Sequence, residues 1–308
     1  MTECERIIQS GILPESFFKE EVRNDFLVDT TRKKIWAIAL DMLIELDRIC
    51  KKHGIQYFLI GGTLLGAVRH KGFIPWDDDI DVGMMRSDYE RFLELSSEFK
   101  DPYFLQTPYT DDGYFFSFAK VRNVNTTAIS VSFRFERFNQ GIFIDIFPVD
   151  NCTKEDVKQN FDKINSLIID NSNYMRKSSS DAYDRERHAL WSGRNPLSVY
   201  EEIQRIARTH ENDETDYVNL STCTVYPCEK FVWKKEDVTQ LIDMEFEGFR
   251  FPCPKGYDAI LTTQFGDYMQ FPPVEKRGAW HDKNIFNPDV PYRDYRKKFE
   301  MSVGGGIT

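Results

Sequence analysis

The feature that most constrains this chain is a run of four aspartates broken by one isoleucine, Trp76-Asp77-Asp78-Asp79-Ile80-Asp81-Val82-Gly83. The apolar residues from 80 to 84 predict a strand that begins inside this acidic run. Alternate side chains of a strand face the same way, so Asp79 and Asp81 point together while their neighbours point into the core. Two carboxylates at this spacing repel each other unless a cation lies between them, and a divalent ion such as Mg²⁺ fits that need.

A second acidic residue stands among apolar neighbours further along the chain. Asp145 is enclosed by two aromatic and two aliphatic residues in Phe143-Ile144-Asp145-Ile146-Phe147. A carboxylate in such surroundings is costly to bury unless it is paired or bound to a metal. We therefore expect Asp145 to join Asp79 and Asp81 as a metal ligand, and we add Asp77 to the candidate catalytic residues. The alternative explanation for the acidic run at residues 77–81 is a solvated turn in front of a strand.

A glycine turn precedes the acidic run. Residues 56–60 have the composition of a short strand, which ends abruptly at Gly61-Gly62-Thr63, and residues 64–71 predict a short helix. Such a turn exposes backbone N–H groups and lets the backbone approach a phosphate closely. Gly61, Gly62 and Thr63 are therefore candidate substrate-binding residues. A glycine turn, two carboxylates on the next strand and a third on a neighbouring strand together indicate a nucleotidyltransferase-like fold.

The order of predicted elements favours an α/β (α+β) fold, in which helices cover a mixed sheet. The predicted helices span residues 30–53, 64–71, 88–97, 155–169, 197–210 and 257–265. The predicted strands span residues 56–60, 80–84, 103–106, 115–122 and 142–147. Ser87 and Glu90 have the spacing of a capping box ahead of the third helix.

Composition divides the chain into three parts. Residues 1–152 form the predicted catalytic core, and residues 217–308 are expected to complete it. Residues 153–216 are rich in Asn, Ser, Lys and Asp, and they predict a helical insertion or second lobe. This lobe carries none of the motifs described here. We therefore expect it to contact the acceptor, the molecule that would receive the group transferred by a nucleotidyltransferase-like enzyme.

Charge and hydropathy exclude several classes of protein. The 40 Lys and Arg residues against 50 Asp and Glu residues give a net charge of −10, so nucleic acid is a poor expected partner. No apolar run approaches the ~20 residues of a spanning helix, and residues 1–6 lack the pattern of a secretory signal. These observations predict a cytoplasmic protein. The six cysteines are widely spaced, and we expect free thiols.

Three segments together resemble the LicD family of phosphocholine transferases, which is related to the fukutin-type phosphoribitol transferases. They are residues 61–83, residues 141–150, and residues 265–269 with the nearby Pro272-Pro273-Val274-Glu275-Lys276-Arg277. The resemblance extends over roughly residues 32–281, although residues 153–216 contribute no matching motif.

The resemblance implies an Mg²⁺-dependent phosphotransferase with one or two ions held by Asp79, Asp81 and Asp145. A phospho-alcohol, foremost phosphocholine, would pass from a CDP-activated donor to a hydroxyl of a cell-surface or lipid-linked glycan, and CMP would leave. Asp145 would also be the base for that hydroxyl. Such chemistry belongs to lipopolysaccharide or teichoic acid biosynthesis, and the acceptor would bring the protein close to a membrane without a transmembrane segment.

Cationic residues beside these motifs are candidates for binding the donor. Arg69 lies one short helix beyond the glycine turn, where its planar guanidinium can return to the diphosphate. The further candidates are Lys120, Arg122, Lys276, Arg277 and His281. Surface charge is the alternative explanation for each of them.

Other functions are compatible with the same residues. A true nucleotidyltransferase would leave a nucleoside monophosphate on its acceptor and expel pyrophosphate. A non-catalytic glycan-binding protein would keep the fold without the reaction. A metal-free hydrolase ranks last, because the sequence has no Gly-x-Ser-x-Gly motif to present a nucleophile.

Overall fold

A mixed seven-stranded sheet organises the computed structural model, which describes residues 1–134, 136–180, 196–222, 227–278 and 284–297. In chain order the strands are β1 (Glu21–Arg23), β2 (Phe26–Val28), β3 (Phe58–Leu59), β4 (Asp81–Met85), β5 (Tyr103–Gln106), β6 (Ala119–Asn123), β7 (Thr127–Ile129), β8 (Phe143–Cys152), β9 (Tyr217–Asn219), β10 (Val232–Lys234), β11 (Leu241–Phe246), β12 (Phe249–Pro254) and β13 (Ile285–Asn287). The helices are α1 (Glu3–Gln9), α2 (Thr30–His53), α3 (Gly61–His70), α4 (Arg86–Leu93), α5 (Val157–Ser180), α6 (Pro196–Ala207), α7 (Lys235–Thr239) and α8 (Tyr257–Phe265).

The long strand β8 is the centre of the sheet. The first half of β8 pairs with β6, which pairs in turn with β5, and the last three residues of β8 pair with β9, which continues to β10. All of these pairs are antiparallel. On its other side β8 pairs in parallel with β4, which is followed by β3. The predicted mixed sheet with helices is therefore confirmed.

The strand register brings three charged residues into one row. Asp81 at the start of β4 lies beside Asp145 on β8, and Lys120 on β6 lies beside Asp145 from the other side. Directly paired residues of neighbouring strands point to the same face of a sheet. The register thus places two carboxylates and one ammonium group together on one face.

Helix α2 packs against strands β6 and β8 of the sheet, and it has the predicted bounds. Its interior residues, such as Trp36, Ile38 and Leu43, are fully buried, and each contributes about 1.5–3 kcal/mol by leaving water. Gly54 ends the helix in the left-handed conformation. The N-cap is Asp29, whose side chain accepts a hydrogen bond from the Arg32 N–H at 2.8 Å.

Two predicted helix starts are wrong. Helix α3 begins at Gly61, so the glycines form its first turn and do not precede it. Helix α4 begins at Arg86 and has no side-chain cap, so the predicted capping box does not form. Helix α4 starts early because of a tertiary contact. The Arg86 guanidinium binds the buried Asp150 carboxylate at 2.6 and 2.8 Å, and this ion pair fixes the first residue of the helix.

Two predicted strands have different bounds. The strand predicted from residue 115 begins only at Ala119, because Tyr114 and Phe115 pack into a separate aromatic cluster with Phe133 and Phe138. The strand predicted to end at residue 147 continues to Cys152, since β9 provides it with a further partner.

The polar segment after residue 152 contains the two predicted helices. Helices α5 and α6 pack against each other through Ile164, Val199 and Ile203, which form their own small core. Beyond them the chain returns to the sheet as β9. The division of the chain near residues 152 and 216 stays a prediction.

The remaining expectations concern the cysteines and the membrane. The cysteines that the structure describes, at positions 4, 50, 152, 228 and 253, are buried free thiols. Within the described ranges, no helix has the length and apolar character needed to cross a bilayer.

Candidate active site

The acidic run forms a compact group in front of β4. The carboxylate oxygens of Asp77, Asp78 and Asp79 lie within 4.8 Å of one another. Asp78 is buried, whereas Asp77 and Asp79 keep partial contact with solvent. Among the residues that the structure describes, this is the group of acidic, histidine or cysteine side chains whose spacing suits a metal ion.

Two more carboxylates adjoin this group at the sheet. Asp81 is the first residue of β4, and Asp145 is its neighbour on β8. The Asp145 carboxylate accepts a hydrogen bond from the Lys120 ammonium, with 2.5 Å between Nζ and Oδ1. Of the predicted ligands, the structure therefore brings Asp81 and Asp145 together on the sheet and places Asp79 with Asp77 just ahead of it.

The cluster carries more negative charge than its surroundings compensate. Burial, followed by repulsion from Asp79 and Asp78, raises the pKa of Asp77 well above the ordinary carboxyl value. Burial, followed by repulsion from Asp79, Asp145 and Asp77, does the same to the pKa of Asp81. The ionised forms are thus unfavourable in this structure, and a bound cation would relieve both causes.

The backbone at Asp77 is anchored by helix α2. The Asp77 carbonyl oxygen accepts hydrogen bonds from Trp36 Nε1 at 2.8 Å and from an Arg32 guanidinium nitrogen at 3.0 Å. Sequence reasoning missed both donors. The periodicity of α2 shows that Trp36 is buried, but which carbonyl its N–H reaches depends on tertiary packing.

The start of β4 is held by the first turn of α3 and by Ile60, the residue before it. The Thr63 hydroxyl accepts a hydrogen bond from the Asp81 N–H at 2.8 Å, and the Asp81 carbonyl accepts one from the Ile60 N–H at 3.1 Å. Thr63, a predicted substrate-binding residue, thus supports the backbone of a predicted metal ligand.

The glycines at the start of α3 allow the helix to approach the carboxylates. A Cβ atom on Gly62 would lie 2.7 Å from Asp77 Oδ2, and one on Gly61 would lie 3.2 Å from Asp81 Oδ2. Gly61 also has a φ of +55°, which other residues rarely adopt. Ile60 provides no side-chain cap, so the N–H groups of the first turn remain for acidic side chains or a bound anion.

Arg69 and Arg277 lie close together beside the acidic run. The Arg69 guanidinium is 5.1 Å from the ring centre of Phe271, and that of Arg277 is 4.9 Å from Trp76 and 5.7 Å from Phe271. Burial and the positive charge of Arg277 lower the pKa of Arg69. Trp76, whose ring Arg277 contacts, directly precedes Asp77 in the chain.

Both arginines also hold the loop that follows α8. Arg69 donates hydrogen bonds to the carbonyl oxygens of Tyr268 and Gln270 at 2.6 and 3.1 Å. Arg277 donates to the carbonyl oxygen of Pro272 at 3.0 Å. The hydrogen bonds of Arg69 therefore join the motif segment 61–83 to the motif segment that begins at residue 265.

The other predicted cations have different surroundings. Arg122 is buried, donates to the Gln106 side chain and to the Gly141 carbonyl at 2.7 Å, and thereby braces β6. Lys276 is exposed to solvent in the loop after α8. His281 lies outside the described residues.

The helical lobe carries an open groove of about 770 Å³ between α5 and α6. Polar side chains line it, among them Gln159, Lys163 and Glu202. A groove of this character suits a polar ligand, and its use by the acceptor stays a prediction.

Comparison with known proteins gives a family match over this part of the chain. A family model described as LicD/FKTN/FKRP, nucleotidyltransferase domain, matches residues 54–186. The match includes the glycines, the acidic run and the strand that carries Asp145.

Individual relatives extend the match to most of the chain. The lipopolysaccharide cholinephosphotransferase LicD of Haemophilus influenzae is 30% identical over 273 residues, which cover 83% of this chain and 98% of that protein. The uncharacterized protein RT0683 of Rickettsia typhi is 43% identical over 101 residues, covering 30% of this chain and 33% of that protein. The human ribitol 5-phosphate transferase FKRP is 54% identical over 35 residues, which are 11% of this chain and 7% of that protein.

Proposed function

The chain belongs to the LicD/FKTN/FKRP family of transferases, and on that premise we propose that it transfers phosphocholine from CDP-choline to a hydroxyl of lipopolysaccharide or a similar glycan. CMP is the second product, and the reaction depends on Mg²⁺. The observation that carries the proposal is the juxtaposition of Asp77, Asp79, Asp81 and Asp145 at the glycine-rich start of α3. The choice of choline rests on the similarity to the Haemophilus protein over 98% of its length.

The acidic cluster fits a divalent cation by its chemistry. The pKa values of Asp77 and Asp81 are raised by burial and by neighbouring carboxylates, so positive charge is what the site lacks. Oxygen ligands of this kind are those that Mg²⁺ prefers. Asp79, Asp81 and Asp145 are the proposed ligands, and Asp77 lies close enough to Asp79 to contribute an oxygen. When bound, the ion supplies neutralisation of the negative charge on the diphosphate.

The residues of the chain position the donor and accept a proton. The first-turn N–H groups of α3 face the same region as the carboxylates and favour an anionic group there. Arg69 and Arg277 add two positive charges beside Trp76. These groups orient the diphosphate, and most of the acceleration comes from such positioning and charge stabilisation.

The transfer itself forms one bond and breaks another. The acceptor hydroxyl oxygen attacks the phosphorus that carries choline, and the bond between this phosphorus and the CMP oxygen breaks. The hydroxyl proton passes to the Asp145 carboxylate, which we propose as the base. Asp145 lies on the middle strand of the sheet, and in this structure its Oδ1 accepts a hydrogen bond from the Lys120 ammonium.

The experiment is a donor screen followed by a rate measurement. We expect CDP-choline with Mg²⁺ to raise the melting temperature more than CDP-glycerol or CDP-ribitol does, because a ligand that binds the folded state stabilises it by mass action. CMP release with acceptor present should fall at least about 100-fold in Asp79→Asn and Asp81→Asn, if their loss of charge stabilisation resembles that at other polar catalytic sites. Full activity in well-folded variants would refute the assigned metal site.

A further inference from the structure

Lys120 is a buried cation inside the proposed active site. Its side chain is 5% exposed, and its ammonium group lies 2.5 Å from Asp145 Oδ1. Lys120 and Asp145 are directly paired across β6 and β8, so their contact follows from the register of the sheet. The sequence had suggested Lys120 as a donor-binding residue, but in this structure its hydrogen-bond partner is a proposed metal ligand.

Three phenylalanine rings surround the same ammonium group. The ring centre of Phe143 is 3.7 Å from Lys120 Nζ, and those of Phe118 and Phe116 are 5.1 and 5.3 Å away. Aromatic faces attract a cation without a fixed hydrogen bond, by about 0.5–2 kcal/mol for each good contact. The rings therefore offer the ammonium group a place to stay if it loses Asp145.

A lysine and a divalent cation compete for one carboxylate in such an arrangement. Both are positive, and two cations on adjacent oxygens of Asp145 would repel each other. We propose that Lys120 is a displaceable internal counter-ion, which holds Asp145 until the metal binds and then stays among the rings of Phe116, Phe118 and Phe143 without that partner. This inference rests on the metal requirement of the proposed function, and it makes Lys120 a positioning residue.

The test measures metal binding directly, by titration calorimetry with Mg²⁺ or Mn²⁺ and without nucleotide. Removing the competing charge in Lys120→Met should lower the dissociation constant of the metal roughly tenfold. Lys120→Arg keeps the charge and should remain within about threefold of the wild type. Lys51→Met removes an equal charge from the last turn of α2, about 28 Å along that helix from Arg32, and should leave the constant unchanged.

A second pair of variants tests the cage. Phe143→Leu removes the nearest ring, so the displaced ammonium group loses its best contact and metal binding should weaken severalfold. Phe138→Leu is the matched control, since it removes a buried ring of the neighbouring aromatic cluster. These variants keep Lys120 and remain informative if Lys120→Met does not fold.

The results separate this inference from the proposed function. Equal or weaker metal binding in folded Lys120→Met overturns the counter-ion role, as does an unchanged constant in Phe143→Leu. An increase of the KM for CDP-choline in Lys120→Met, without a change in metal binding, would instead make Lys120 a donor-binding residue. If the wild type releases no CMP but the metal constants change as described, the proposed function fails and the counter-ion role stands.

Discussion

The chemistry of the site depends on how closely single residues approach one another. Gly62 is the clearest case, because a Cβ atom there would lie 2.7 Å from Asp77 Oδ2. The carboxylate would have to move away from the start of α3, and the acidic group would change shape. The smallest possible side chain is therefore a requirement of the site at this position.

Gly62→Ala should reduce CMP release at least about tenfold, because a misplacement of about 1 Å in a catalytic group costs that much or more. Its melting temperature should remain within a few degrees of the wild type, since the change concerns a partly exposed residue. Gly11→Ala is the control. It has an open surrounding and a φ of +75°, so it should cost about 1 kcal/mol of stability without affecting the rate. An active Gly62→Ala would show that the carboxylate position is not critical.

Asp79→Asn should stabilise the metal-free protein while it lowers activity. The charge of Asp79 is the main coulombic cause of the raised pKa of both Asp77 and Asp81, so its removal relieves repulsion at two carboxyl groups. We expect a gain of about 1 kcal/mol, as for other substitutions that relax strained functional sites. Urea unfolding in the presence of a chelator measures it. A loss of stability would mean that Asp79 has a structural role that outweighs the repulsion.

The pH dependence of metal stabilisation has a defined sign. The pKa values of Asp77 and Asp81 are raised in the folded state, so their ionisation opposes folding, and this opposition decreases as the pH falls below the raised values toward the ordinary carboxyl pKa. A bound cation removes the same penalty. The increase in melting temperature caused by Mg²⁺ should therefore be larger at pH 8 than at pH 5.5 in thermal unfolding, and an equal increase at both values would contradict this account.

Much of the site could be predicted at the residue level. The predicted strand places Asp81 at the start of β4, whereas Asp79 lies just ahead of that strand. The apolar surroundings of Asp145 correctly indicate a buried carboxylate with a partner. The anchors of the Asp77 carbonyl, Arg32 and Trp36, could not be predicted, because they come from a helix more than forty positions earlier. Such contacts depend on packing angles that no local pattern encodes.

Some secondary-structure elements could be predicted with their bounds from the helical spacing of apolar residues. Helix α2 has the predicted bounds, and so does α8. The hairpins β1–β2 and β11–β12 were not predicted. Helix α4 starts at Arg86 because of a tertiary ion pair that competes with the local capping signal.

The same ion pair connects the helical lobe to the sheet. Arg86 binds Asp150 through two nitrogens and donates to the Gln204 side chain of α6 at 2.8 Å. Gln204 donates in turn to the Ser117 carbonyl at 2.9 Å. Arg86 and Asp150 are both buried, so neither charge has water as an alternative partner.

Arg86→Met should destabilise the protein by about 3–5 kcal/mol, because it leaves the buried Asp150 carboxylate without its cation. Denaturant unfolding measures the change. The double variant Arg86→Met with Asp150→Leu should recover most of the loss, since it removes the orphaned charge as well. If the single variant is as stable as the wild type, the connection between lobe and sheet depends on other contacts.

On the scale of the whole molecule, the catalytic sheet and the helical lobe have separate expected tasks. The sheet holds the acidic cluster, and the groove of about 770 Å³ lies between α5 and α6. Because the chain has a net charge of −10, the proposed glycan acceptor would have to be bound by specific polar contacts and not by general attraction to an anionic surface. The boundary of this lobe near residue 152 is predicted from the change in composition, and composition does not identify its ligand.

Gln159→Ala and Lys163→Ala should raise the KM for the acceptor severalfold, because both side chains line this groove. The KM for CDP-choline should stay the same, since neither residue belongs to the acidic cluster. Steady-state kinetics with both substrates varied will distinguish the two constants. An effect on the donor alone would place the acceptor elsewhere.

The most direct test of the phosphotransferase assignment is the mass of the acceptor after reaction with CDP-choline and Mg²⁺. We expect the acceptor to gain one phosphocholine group in amounts equal to the CMP released, and to gain none with Asp81→Asn. An acceptor that has gained a cytidine nucleotide, or an unmodified acceptor beside a well-folded enzyme, would contradict it.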